Sequence, residues 1–249
     1  MDNWIEHPTE PRRLLLAWEP PLKEQDRARW AVGELVDGDD GIRFRYFSAQ
    51  ELPSHNQGRN AEQLRAAGYL GYPAFSVKCT APITDGVLPA FLRRLPPAQR
   101  TDFARYLEHF RLRPNLKLTP FALLANTEAK SPSDGFSLID PLDDLPAVCE
   151  FVFEVVGVRY QPDAPAVLEV GRQVSFFREN QNPRDANALR VDVGQTPIGY
   201  VNRLQAAGFG RWLSCRSVSG SICRVNGTKE RPRAFVFVVV RPSAHSEAA

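Results

Sequence analysis

The chain has 249 residues, is 43% hydrophobic and 24% charged, and carries a formal net charge of +2. That balance describes a soluble globular protein rather than a disordered one. No apolar run approaches the roughly 20 residues of a membrane-spanning helix, and the start, Met1-Asp-Asn-Trp-Ile-Glu, lacks the basic and apolar stretches of a secretory signal. The four cysteines (Cys79, Cys149, Cys215, Cys223) and four histidines (His7, His55, His109, His245) are scattered and form no C-x-x-C pair. No zinc pattern or cofactor motif follows from them, and reduced thiols in a cytoplasmic protein are expected.

In chain order, 14–18 and 30–36 read as strands, and 42–46 does so by strict alternation, with Asp39-Asp-Gly41 as a hairpin turn. Residues 61–67 read as a helix ending near Gly68, a plausible C-cap. Further helices are expected to begin at 88–95, then at 98–111 and 120–126. In the 98–111 segment Phe103, Tyr106, Leu107 and Phe110 recur at helical spacing and are expected in the core. Residues 131–149 hold three prolines and four aspartates, a composition that predicts an interdomain linker. Beyond it, strands are expected at 151–158, 172–178, 188–193, 197–201, 216–225 and 234–240, with a helix at 204–213. The organisation predicted is an α+β domain over 1–130, a linker over 131–149, a mainly β domain over 150–241 and a flexible tail over 242–249. Short strands with frequent turns favour a small barrel or sandwich for the second domain.

Charge is uneven. Residues 146–249 carry 13 Lys and Arg against 9 Asp and Glu, and 12 of those 13 cations are arginine. Arginine suits bidentate phosphate contact and stacking on bases. The densest polar stretch is Arg178-Glu-Asn-Gln-Asn-Pro-Arg-Asp-Ala-Asn-Ala-Leu-Arg-Val191. Pro183 fixes its own φ and pushes Asn182 toward an extended conformation, and Asp185 and Asn187 can close Asx turns onto nearby amides.

The ordered blocks Val156-Gly-Val-Arg-Tyr160, Phe177-Arg-Glu, Asn182-Pro-x-Asp185-x-Asn187-Ala-Leu-x-Val191 and Ile198-Gly-Tyr200 resemble the HIRAN domain family across roughly residues 150–240. The resemblance implies a compact, OB-like barrel that captures the 3′ end of single-stranded DNA and has no catalysis of its own. It implies that the Arg159–Tyr160 pair supplies a stacking face and that Asn182 and Asp185 shape the pocket, with Asp185 accepting a hydrogen bond from a terminal 3′-hydroxyl. Arg203 matches a phosphate contact. Two positions depart from the family: Arg184 stands where an aromatic stacks, and Tyr200 where a histidine follows the Ile-Gly pair. On the residues alone, Asp185 serves equally as a turn cap, Tyr160 as a strand-end core edge, Tyr200 as a barrel-lining residue and Arg203 as a solvated or carbonyl-capping arginine.

A second set of segments, Val32-Gly-Glu-Leu35, Gly41-Ile-x-Phe44-x-Tyr46, Phe91-Leu-x-x-Leu-Pro96 and Pro120-Phe-Ala-Leu-Leu124, resembles the N-terminal subdomain of HipA-type toxin kinases. It implies that residues 1–130 serve as an interaction module for a kinase-like or helicase partner. Two functional readings result. One is a DNA-end binder in a repair, replication-fork or phage-defence setting. The other is a regulatory subunit of a toxin–antitoxin system, with DNA binding secondary. An enzyme is not expected: no Gly-x-x-x-x-Gly-Lys-Ser/Thr loop is present, and Glu179, Asp185 and Asp192 lack the paired spacing of a two-metal site.

Overall fold

The computed structural model describes residues 3–21, 29–79, 81–131, 134–228 and 230–243. The last six residues of the expected tail, 244–249, therefore lie outside the described residues. The chain divides into two compact units. One comprises Glu10–Phe103 and Lys117–Pro141; the other comprises Met1–Thr9, Ala104–Leu116 and Leu142–Ala249. Among the described residues no helix is long and apolar enough to cross a membrane.

The first unit is built on a four-stranded antiparallel sheet of β1 (Arg13–Trp18), β2 (Trp30–Gly38), β3 (Gly41–Tyr46) and β4 (Phe136–Ile139), in the order β3-β2-β1-β4. The expected β2–β3 hairpin is present: Gly38 pairs with Gly41, and Gly41 has a φ of +99° that a side chain would resist. Strand β4 overturns the linker expectation. Phe136, Ser137, Leu138 and Ile139 are all buried and pair with β1, so the Pro- and Asp-rich composition of 131–149 marks the ends of a core strand. The helices of this unit are α1 (Leu52–His55), α2 (Ala61–Ala66), α3 (Val87–Leu92) and α5 (Pro120–Thr127). Helix α2 starts with a capping box between Asn60 and Gln63, which satisfies amides left free in the first turn. The 98–111 helix is shorter than expected: α4 spans Phe103–His109, and only Leu107 of the predicted stripe is fully buried.

The second unit carries a six-stranded antiparallel sheet: β5 (Cys149–Glu154), β6 (Gln173–Arg178), β7 (Leu189–Val193), β8 (Thr196–Tyr200), β9 (Arg216–Gly227) and β10 (Pro232–Pro242), in the order β5-β10-β9-β6-β7-β8. A short helix α6 (Ala164–Val167), the longer α7 (Arg203–Cys215) and most of α4 complete it. The expected barrel does not close. The edge strands β5 and β8 meet only beyond the end of β5, at the single bridge Val156–Tyr200. Helix α7 buries Phe209 and Trp212 against Phe151, Phe153 and Phe176 of the sheet, with ring centroids 4.9–6.2 Å apart. Each such ring contributes about 1.5–3 kcal/mol by leaving water. The indole of Trp212 donates to the Asp144 carbonyl at 2.8 Å, so burial leaves its N–H satisfied. Gly210 matters here because it has no Cβ. A Cβ at that position would stand 3.1 Å from an Arg178 nitrogen, whereas Arg178 in fact donates to the Gly210 carbonyl and to Ser214 Oγ.

Candidate nucleic-acid interface

Along β7, Leu189, Val191 and Val193 enter the core while Arg190 is only half-buried. The pairing register then places Phe177 of β6 opposite Arg190, and Arg190 opposite Tyr200 of β8. An outward row Phe177–Arg190–Tyr200 therefore crosses three strands. Phe177 is 45% exposed, and the Arg190 guanidinium lies 5.5 Å from its ring centroid.

Arg190 is the electrostatic centre of the row. Its Nε and Nη2 donate to Asp192 Oδ1 and Oδ2 at 2.8 and 2.9 Å, and its Nη1 donates to Glu179 Oε1 at 2.8 Å. The hydrogen bond to Asp192, followed by that to Glu179, raises the Arg190 pKa above its ordinary value. Partial burial pushes the Glu179 carboxyl upward. Hydrogen bonds from Asn182, Arg190 and Tyr200 outweigh that burial and hold Glu179 below its usual value. Partial burial, together with the Glu179 charge, raises the Tyr200 phenol.

Glu179 ties the row to the polar turn. Its Oε2 accepts from Asn182 Nδ2 at 3.0 Å and from the Tyr200 hydroxyl at 3.2 Å. Asn182 Oδ1 in turn accepts from the amides of Arg184 and Asp185 at 3.0 and 3.2 Å. Asp185 Oδ1 accepts from the Asn187 amide at 2.9 Å. These are the Asx turns that the sequence calls for. Asp185 is half-buried and its second carboxylate oxygen has no hydrogen-bond partner among the described residues. The Arg184 side chain is exposed and likewise has no partner among the described residues.

Arg159 and Tyr160 do not close a strand, as expected from the run 151–158. Strand β5 stops at Glu154, and both residues sit on the 3-10 turn Val158–Tyr160. Tyr160 is 66% exposed rather than a half-buried edge. The Arg159 guanidinium lies 4.6 Å from the Tyr160 ring centroid, and the same side chain donates to the phenol oxygen. This turn is held to β8 because Val156 exchanges both backbone hydrogen bonds with Tyr200, each 2.9 Å long. Gly199 makes that approach possible. Its φ is +142°, and a Cβ there would stand 2.5 Å from the Val156 carbonyl oxygen.

The structure thus brings Asn182, Arg184, Asp185 and Tyr200 into one hydrogen-bonded cluster around Glu179, and joins the Arg159–Tyr160 turn to the same strand. Tyr200 faces outward and does not line the core. Arg203 opens α7 three residues beyond Tyr200, with its Nε buried. Sequence reasoning missed Phe177 and Arg190 as members of the site. The signal lay in the spacing of β6 and β7, since residues outward on paired strands become neighbours only once register is known. Among the described residues no group of three His, Cys, Asp or Glu side chains is placed to hold a metal ion.

Residues 148–241 match the family model of the HIRAN domain. Among solved structures the chain is similar to the HIRAN domain of human HLTF, at 19% identity and a TM-score of 0.32, covering 39% of this chain and 78% of that one. It is also similar to a protein from Lactobacillus plantarum, at 26% identity and a TM-score of 0.32, covering 38% of this chain and 98% of that one. No curated protein matches. By the family match the segment 148–241 is a HIRAN domain, and that match does not extend to residues 1–130.

Proposed function

We propose that the HIRAN domain binds single-stranded DNA and captures its free 3′ end, without catalysis of its own. The observation that carries the reading is the exposure of two aromatic rings, Phe177 and Tyr160, each beside a guanidinium group. Unstacked bases bind to such faces, at roughly 1–3 kcal/mol per base, and arginines add salt-dependent phosphate contacts. Exposed Arg184 supplies a cation at the turn, and Arg203 is the second phosphate contact. The open oxygen of Asp185 suits a hydroxyl partner, because a carboxylate accepts from a sugar 3′-hydroxyl but repels a phosphate. Glu179 and Asp192, the other carboxylates nearby, are both engaged by Arg190, which supports a binding rather than a hydrolytic role. A repair, replication-fork or phage-defence setting is the context this reading suggests.

The test is a fluorescence-anisotropy titration at low salt with short single-stranded DNA ending in a 3′-hydroxyl or a 3′-deoxy sugar. The wild-type protein should prefer the 3′-hydroxyl. Asp185→Ala should lose that preference, and Tyr160→Ala should weaken both strands. Equal binding of the two ends by the wild type would refute end capture, and no binding to either would refute the DNA reading.

A further inference from the structure

The same unit contains a second cationic site on other strands. Residues Arg105, Glu108, His109, Arg111, Cys223 and Arg224 line a cavity of about 270 Å³. They come from α4, the turn that follows it, and β9, whereas the aromatic row lies on β6, β7 and β8. Three arginines against one glutamate leave two positive charges in excess.

Two of these cations, Arg224 and Arg111, are held in place. Arg224 lies 3.9 Å above the Phe235 ring centroid and donates through Nη1 to the His109 carbonyl. Its Nε is buried and meets no acceptor among the described residues. Arg111 is fixed by donation of Nη2 to the Cys223 carbonyl at 2.8 Å, which leaves the rest of its fork of donors for another group.

The backbone at Arg111 adds a further observation. The end of α4 has the hydrogen bonds of a Schellman motif, Leu112 N to Leu107 O at 3.1 Å and Arg111 N to Glu108 O at 3.0 Å. Arg111 occupies the left-handed position of that motif, with a φ of +61°, where glycine fits without steric cost. An arginine there accepts a strained backbone and places a guanidinium at the cavity. Burial, with Arg224 and Arg233 adding to it, holds the His109 imidazole below its ordinary pKa. Burial likewise lowers Arg224, with Arg111 and Arg233 contributing.

We propose that this cavity binds a phosphate dianion, free or as a terminal monoester. The excess of two positive charges matches the charge of about −1.5 to −2 that such a group carries near neutral pH. Planar guanidinium forks match the geometry of its oxygens. The volume lies near the lower end of the range for small-ligand sites, about 300 Å³, which suits a phosphate group with little attached. The group can arrive as free phosphate, as a nucleoside monophosphate or as the 5′-phosphate of a DNA strand.

Isothermal titration calorimetry on the full chain distinguishes these sources. The probes are inorganic phosphate, adenosine 5′-monophosphate, and short oligonucleotides with a 5′-phosphate or a 5′-hydroxyl, both 3′-deoxy so that neither offers a 3′-hydroxyl to Asp185. Binding of the small anions assigns a free-ligand site, and preference for the 5′-phosphorylated strand assigns a strand end; either supports the proposal. Arg105→Glu, at an exposed position, should weaken the productive probe at least tenfold. Arg111→Gly should do the same while suiting the backbone better. Tyr160→Ala should keep the wild-type affinity for inorganic phosphate and the wild-type preference for the 5′-phosphorylated over the 5′-hydroxyl strand, which separates this site from the 3′-end reading. Failure of every probe to bind at millimolar concentration, or wild-type affinity in both arginine variants, would overturn it.

Discussion

Replacing Arg190 by methionine tests the electrostatic centre of the aromatic row. The side chain makes three charge-assisted hydrogen bonds of 2.8–2.9 Å, two of them to Asp192. Asp192 has a side chain only 4% exposed, against 32% for Arg190. Methionine preserves most of the packed stem but leaves that carboxylate buried without its cation. Breaking a buried ion pair from one side commonly costs about 3–5 kcal/mol. The partial exposure of Arg190 lets water reach the site, so the lower end, about 3 kcal/mol, is expected. Adding Asp192→Asn removes the stranded charge and should restore about 1.5 kcal/mol, a coupling of the size seen between contacting residues. Because the chain has two compact units, a single melting temperature would mix their transitions. Hydrogen-exchange mass spectrometry along a urea series, read on peptides from 148–241, isolates the relevant unit. A loss below about 0.5 kcal/mol in Arg190→Met, the level of an ordinary surface substitution, would refute the reasoning. So would a double variant less stable than the single one.

Three further outcomes follow from the same geometry. Gly199→Ala should destabilise the HIRAN domain by about 2 kcal/mol, since its φ of +142° and the Val156 carbonyl 2.5 Å from the new Cβ both oppose a side chain; wild-type amide protection at Val156 and Tyr200 would contradict this. Phe177→Ala should reduce affinity for single-stranded DNA by roughly 1–3 kcal/mol with little change in stability, because the ring is 45% exposed; anisotropy titration beside a urea melt separates the two effects. Glu179 has a depressed folded pKa, so its contribution to stability is fully present above the ordinary carboxylate value of about 4.3 and is lost as pH falls through the folded value. The urea midpoint of Glu179→Gln should therefore lie below wild type at pH 7 and converge with it in acid, and a constant gap across that range would contradict the assignment.

Much of the fold was legible in the sequence because local chemistry fixes it. The alternation of 42–46, the two-residue turn before Gly41, the capping residues of α2 and the β-branched strands of the second unit all act within a few positions of themselves. The turn at 182–187 was legible for the same reason, since Asn182 and Asp185 bond to amides two or three residues away. Composition misled where tertiary packing overrode it. Residues 136–139 lie in a Pro- and Asp-rich stretch yet become a buried strand, because β1 offers them an unpaired edge and an apolar surface. The stripe of α4 was read as core, but only Leu107 is enclosed.

Which residues turn, which alternate and where the HIRAN blocks fall in order can be read along the chain. That the sheet stays open, that Tyr160 stands on a 3-10 turn in solvent, and that Phe177, Arg190 and Tyr200 share a row emerges from packing and strand pairing. The difference is one of range. Turns and caps are set by bonds between near neighbours, whereas a cross-strand row depends on register, and a one-residue slip would carry Arg190 into the core and Leu189 out of it.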